Sequence, residues 1–260
     1  LDVLRTAVLS DDNKKLTLTG NWRVMDENEM KTATGNNPLL VIDATNATLI
    51  SKPTLPAAEG TNVMLKVRNA NLVANTANVL VGDKCSNFVL TDKKDFAPTQ
   101  NFTADNSFYT RTNTLGYNTV CMPFALTTSD FPGCKVYTYI GMTETTLRFQ
   151  QVEDGKDIPG GTPVLVYSPT GDDWVLDLAG RNVVAEADGN VSGTEVDGMN
   201  GSFLARTIGA DYYKLNSAGT KFAKTTPAGK IVPFRFYLKA NAQQQQAPAF
   251  SVSFVEGETT

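Results

Sequence analysis

Histidine is absent from this sequence, and cysteine (three residues) and tryptophan (two) are scarce. The missing imidazole removes the Ser-His and Cys-His nucleophile pairs, the side-chain base that works at neutral pH, and every His-based zinc, iron or copper site. Carboxylate, hydroxyl, amide and aromatic chemistry remain. A basic excess is also missing: 23 Lys plus Arg stand against 27 Asp plus Glu, for a net charge of −4. Without a Lys/Arg cluster to neutralise phosphates, nucleic acid is not an expected partner. No apolar run approaches the ~20 residues of a membrane-spanning helix. Cys85, Cys121 and Cys134 lack C-x-x-C spacing, which excludes a disulfide framework and a Cys-cluster zinc site. Buried free thiols and a single Cys121–Cys134 disulfide stay open as alternatives. The chain begins at Leu1 rather than Met, so the lack of a signal peptide says nothing about export.

The 260 residues that are present, 41% of them hydrophobic, suffice for one large or two small globular domains. Strand-type alternation dominates. One short helix is expected at Asp26 to Lys31, after a strand at Leu16 to Gly20. A weak repeat follows. Leu39 to Ile50 is echoed by Met64 to Val73, then by Val79 to Gly82 and Cys85 to Leu90, at spacings of roughly 24 and 16 residues, near those of solenoid coils. Asn in the turns can cap the backbone of a neighbouring coil because its amide both donates and accepts. Ordinary hairpins with Asn turns would read the same way. The polar stretch from Ala97 to Asn106 marks the expected domain boundary, giving a solenoid-like region over 1–105 and a second domain over 106–260. In the latter, short strands recur with turn signals every 8 to 14 residues or so, the pattern of a β-sandwich. Thr146 to Gln150 places Leu147 and Phe149 inward, Asp188-Gly189-Asn190 signals a tight turn, and Asn216 to Gly219 a hairpin loop. The fold class is therefore all-β.

Catalytic motifs are missing. There is no G-x-S-x-G elbow, phosphate loop or dinucleotide fingerprint. Acidic turns at Asp11-Asp12-Asn13, Asp154-Gly155-Lys156-Asp157 and Asp172-Asp173 contain calcium-type oxygen ligands, but solvated turns have the same composition. No cofactor is expected. A pair of carboxylates could hydrolyse a glycoside without histidine, yet nothing in the sequence selects a pair. Sugar binding needs an exposed aromatic ring beside polar groups. Trp174, straight after Asp172 and Asp173, is the first candidate; Tyr212 and Tyr213 form the second and Trp22 the third. Core packing is the competing reading for each, and adjacent tyrosines in a strand must point to opposite faces.

Several segments together resemble a group of secreted surface proteins of Bacteroidetes-type bacteria, in which leucine-rich-repeat-like or adhesin-like coils precede a β-sandwich. They are Leu16 to Gly20 running into Asp26 to Met30, then Cys85 to Asp92 with Phe96-Ala97-Pro98 and Phe102-Thr103-Ala104. The similarity continues through Tyr109-Thr110-Arg111 to Thr119-Val120-Cys121-Met122-Pro123-Phe124, and again at Pro163 to Val166 and Pro233 to Leu238. Few leucines and an irregular strand-to-Asn spacing depart from a regular repeat, so the resemblance implies a short solenoid-like cap. It also implies an exported, surface-attached protein concerned with adhesion or with contact to a glycan or a host protein; the chain is expected to be non-enzymatic and a monomer. A carbohydrate-binding module and a structural spacer are the alternatives.

Overall fold

A computed structural model describes residues 4–55, 60–69, 76–189, 195, 197–227 and 229–256. It is mostly β, with 50% strand and 6% helix in curled, many-stranded sheets. The chain divides into two compact units, Leu1–Tyr109 with Asp177–Ala185, and Thr110–Leu176 with Glu186–Thr260.

The first unit contains β1 (Thr6–Leu9), β2 (Lys15–Arg23), helix α1 (Glu27–Thr34), β3 (Val41–Leu49), β4 (Met64–Val67), β5 (Val79–Val81), β6 (Lys84–Thr91) and β7 (Phe102–Arg111). β1 pairs antiparallel with β2, and β2, β3, β4 and β5 then run parallel. Their register brings Leu16, Ile42, Leu65 and Val79 into one row. This row is buried, together with Leu18, Met30, Leu49 and Val67. Buried apolar rows of this kind set the register, since a one-residue slip would turn each row to solvent. The helix runs past the expected Lys31 to Thr34. Asp26 is its N-cap in a capping box with Glu29, and Gly35 ends it in the left-handed conformation. Two buried asparagines, just before β4 and β5, bind β6 and the turn after it. The Asn62 amide donates to the carbonyls of Thr91 and Lys94 and accepts from the Thr91 N–H, and Asn78 pairs in the same two-way manner with Val89.

The expected boundary at 105/106 falls inside β7, a few residues before the division of the two units after Tyr109. Thr103 to Asn106 is polar in composition, but Phe102, Ala104, Ser107, Tyr109 and Arg111 are all buried along the strand. The inward positions make it a strand, and the outward ones gave it the look of a linker. The repeat segment Asn71-Leu72-Val73 lies outside the described residues.

The remaining strands are β8 (Gly116–Val120), β9 (Leu126–Thr127), β10 (Lys135–Met142), β11 (Thr146–Gln151), β12 (Asp157–Ile158), β13 (Val164–Ser168), β14 (Trp174–Val183), β15 (Gly198–Ser202), β16 (Arg206–Ile208), β17 (Tyr212–Leu215), β18 (Phe222–Lys224), β19 (Gly229–Ile231), β20 (Arg235–Lys239) and β21 (Ala249–Val255). β14 ends the eight-stranded sheet of β1 to β7. Nine strands of the second unit form one continuous sheet in the order β15-β20-β17-β18-β21-β11-β10-β13-β8, in which β11 and β21 are parallel. The sheet curls so that its ends approach. The Cys121 N–H, just past β8, donates to the Phe234 carbonyl just before β20 (3.1 Å), and Gly219 of the β17–β18 hairpin lies against the Tyr117 backbone. One face of this sheet is an aromatic core of Leu147, Phe149, Tyr213, Phe222, Phe236 and Phe250. The expected inward positions of Leu147 and Phe149 are among them. The tight turn at Asp188-Gly189 has Gly189 at φ +77°, and its Asn190 lies outside the described residues.

Candidate functional site

The six residues singled out from sequence fall in separate environments. Trp174 is only 6% exposed. Its ring meets the Phe131 ring edge-on at 4.9 Å, and the Arg111 guanidinium lies 5.1 Å from its centroid. Trp174, Leu176, Leu178 and Val183 are the buried residues of β14, whereas Val175 beside Trp174 is 65% exposed. The expected stacking platform is therefore corrected to a core residue: strand alternation turns the neighbouring valine outward instead. Asp172 and Asp173 are exposed in the preceding turn, where Asp172 accepts from Asn113 through its carbonyl and Asp173 accepts from the Thr112 hydroxyl. Trp22 is half-buried, with the Arg5 guanidinium 4.7 Å from its ring centroid and its indole N–H donating to the Thr19 carbonyl. Tyr213 is fully buried and donates to the Ala247 carbonyl at 2.6 Å, so it too is removed as a contact residue. Tyr212 points to the opposite face, as alternation requires.

The register of the nine-stranded sheet assembles an aromatic cluster that those candidates miss. Tyr117 on β8 sits directly opposite Tyr167 on β13, with ring centroids 5.0 Å apart. The Phe254 ring stacks on Tyr117 at 4.7 Å and 8°, and Tyr137 closes the group at 4.7 Å from Phe254. Tyr137 is buried; Tyr117, Tyr167 and Phe254 are half-buried, at the end of the core where the β17–β18 hairpin tip meets β8. Among the described residues no hydrogen bond engages the Tyr117 or Tyr167 hydroxyl. Lys135, the first residue of β10, and Glu256, just past β21, pair with each other at 3.6 Å. Burial, with the neighbouring Tyr117 second, pushes the Tyr137 phenol up to about 12. Burial also raises Tyr117. Both rings stay neutral donors at physiological pH, and Tyr117, Tyr167 and Phe254 keep part of their surface open to solvent.

A second aromatic group lies on the other face. Tyr212 and Tyr237 donate to different oxygens of the Glu195 carboxylate, Oε2 and Oε1, each at 2.5 Å, and Arg206 Nη1 stands 3.6 Å from Oε1. Ile208 and Ile231 pack with the Tyr237 and Tyr212 rings beneath it. The Glu195 hydrogen bond, then burial, lifts the Tyr212 phenol to about 12; burial followed by the Glu195 bond lifts Tyr237 further. Tyr212 was legible as a candidate, but its partners Glu195 and Tyr237 were not, because neither stands at a spacing that marks it.

Among the described residues no group of three His, Cys, Asp or Glu is placed to hold a metal ion. In the Asp11-Asp12 turn, Asp12 is engaged by the Ser10 hydroxyl and the Lys14 N–H. A polar groove of about 160 Å³ runs past Glu153, Lys156 and Asp157 and contains no aromatic side chain. All three cysteines are free. No described helix is long and apolar enough to cross a membrane. In comparisons with protein families, curated proteins and solved structures, nothing matches this chain.

Proposed function

We propose that this chain is a non-enzymatic binding protein of a bacterial cell surface, exported and acting as a monomer, which captures a glycan on the Tyr117–Tyr167–Phe254 cluster. One observation carries the reading: two tyrosines face each other across adjacent strands, half-buried, with hydroxyls that no described residue engages. A pyranose ring stacks its C–H face on such a surface, and phenol hydroxyls at the rim exchange hydrogen bonds with its own. Lys135, opposite Tyr167, and Glu256, which follows the strand of Phe254, pair with each other, which suits a neutral sugar. In this reading the first unit is solenoid-like, supported by the parallel row of Leu16, Ile42, Leu65 and Val79. The second unit is sandwich-like, supported by a sheet that curls over its own aromatic face.

A glycan array probed with the wild type, Tyr167→Ala and Tyr212→Phe tests it. The expected result is a neutral-glycan hit that Tyr167→Ala abolishes and Tyr212→Phe retains, both variants keeping the wild-type circular dichroism. A blank array, or a hit indifferent to Tyr167, would sink the assignment and turn attention to host proteins as partners.

A further inference from the structure

The Glu195 cluster carries an inference of its own, independent of the glycan reading. Its donors are fixed by contacts that do not involve Glu195. Arg206 donates through Nε to the Ser202 hydroxyl at 3.1 Å, and Ser202 is fully buried and anchored in turn on the Leu204 carbonyl. The strand bearing Arg206 is paired with β19. Tyr237 is fully buried against Ile208 and Ile231, and the Tyr212 ring lies 5.7 Å from it. Two hydroxyls and one guanidinium thus converge from three strands, while the carboxylate they hold comes from outside any strand. The cluster is also reachable, since the Glu195 and Arg206 side chains are 18% and 22% exposed.

We propose that Arg206, Tyr212 and Tyr237 form a carboxylate-binding site in which Glu195 is an exchangeable internal occupant, displaced by a ligand that carries a carboxylate. The charge count selects this class. One guanidinium and two neutral hydroxyls balance a monoanion. The nearby Asp211 charge, which contributes to the raised Tyr212 phenol, counts against a phosphate dianion. The geometry selects it too, because one hydroxyl serves each of the two oxygens. The carbon skeleton behind the carboxylate would leave by the side from which Glu195 now enters, where the Glu195 and Arg206 side chains are partly exposed. Glu195 then acts as a built-in competitor that lowers the apparent affinity of the wild type.

The test is calorimetric titration of Glu195→Ala with sodium acetate, sodium glucuronate and sodium phosphate, each against sodium chloride at matched ionic strength. Saturable carboxylate binding in the millimolar range is expected in the variant, accompanied by a raised unfolding temperature, and weaker binding in the wild type. Adding Tyr237→Phe should reduce the affinity about tenfold, as loss of one charge-assisted hydrogen bond does. Tighter glucuronate than acetate supports a sugar acid as ligand, and equal binding supports a bare carboxylate. Phosphate binding more tightly than either overturns the assignment. If Glu195→Ala folds only in acetate, that rescue supports the site; if it folds in neither salt, Glu195→Gln takes its place in the same titrations. Absence of saturable carboxylate binding in both variants overturns the proposal.

Discussion

Asn78 and Val89 are joined in both directions: the Asn78 side chain donates to the Val89 carbonyl at 2.9 Å and accepts from the Val89 N–H at 2.8 Å. A side-chain amide here does what a neighbouring strand would do, and it does so while buried. Removing it leaves a peptide N–H and a carbonyl without their partner, at about 1–3 kcal/mol for each group left unsatisfied. Asn78 also sits at φ +61°, where a Cβ is unfavourable. Asn78→Gly removes the amide but relieves the left-handed backbone, whereas Asn78→Ala removes the amide and keeps a Cβ there without the side-chain bonds that hold asparagine in that conformation. Both are expected to lower the urea midpoint, alanine more than glycine. An alanine variant as stable as the wild type would show that the amide pair holds nothing.

The repeat pattern predicts Asn caps in its turns, with plain hairpin turns as the alternative, but Asn62 and Asn78, which make the two-way bonds, stand just before the apolar segments it marks. It did not reveal which backbone they cap, since Asn62 reaches residues 29 and 32 positions away. Local pattern likewise located α1, where Asp26 and Glu29 spell a capping box, and the inward faces of Leu147 and Phe149. It failed wherever the deciding contact is distant. Trp174 looks exposed beside two aspartates until Phe131 and Arg111 are brought onto its ring. Tyr117 and Tyr167 look unremarkable until the β8–β13 register sets them opposite each other. Tyr212 gains its meaning from Glu195 and Tyr237, and no periodicity links those three.

Thiol chemistry follows from burial. Cys121 is fully enclosed, donates to the Gly161 carbonyl at 3.0 Å, and has its thiol pushed well above the ordinary range by burial, with the Asp188 charge adding to it. Burial raises Cys85 to about 11. Cys134 alone is half-buried. Because the thiolate is the reacting species, a thiol reagent should label one cysteine in the native protein and all three after denaturation. Mass mapping should find the native label on Cys134. Fast labelling of Cys121, or a missing thiol pair in the denatured chain, would contradict this arrangement.

Gly201 stands where the curled sheet brings its ends together. A Cβ at this position would run into the Cys121 sulfur and lie 2.9 Å from the Ala187 Cβ. Gly201→Ala should therefore cost about 1–3 kcal/mol through overpacking. The coupling is testable, because Cys121→Ala removes the atom in the way. In the double variant the two costs should sum to less than their separate values, as they do for residues in contact. Strictly additive losses would mean that the two sites do not meet.

Alkaline pH probes both tyrosine clusters at once. The phenols of Tyr137 and Tyr212 are raised to about 12 in the folded protein, by burial in the first case and by the Glu195 hydrogen bond in the second. An unfolded tyrosine titrates near 10. Above about pH 10 the unfolded chain has released protons that the folded chain still holds, so the folded state binds more protons and stability falls as pH rises. The contribution is complete below about pH 10 and is lost progressively up to about pH 12. Lysines titrate in the same window, so the informative quantity is a difference. The urea midpoint of the wild type should fall more steeply across that window than those of Tyr137→Phe and Tyr212→Phe, which have no phenol proton to lose. Phenolate absorbance should show Tyr137 and Tyr212 among several tyrosines that titrate late in the native protein, each variant losing one late component. Equal slopes for all three proteins would mean that neither hydroxyl is held as the structure places it.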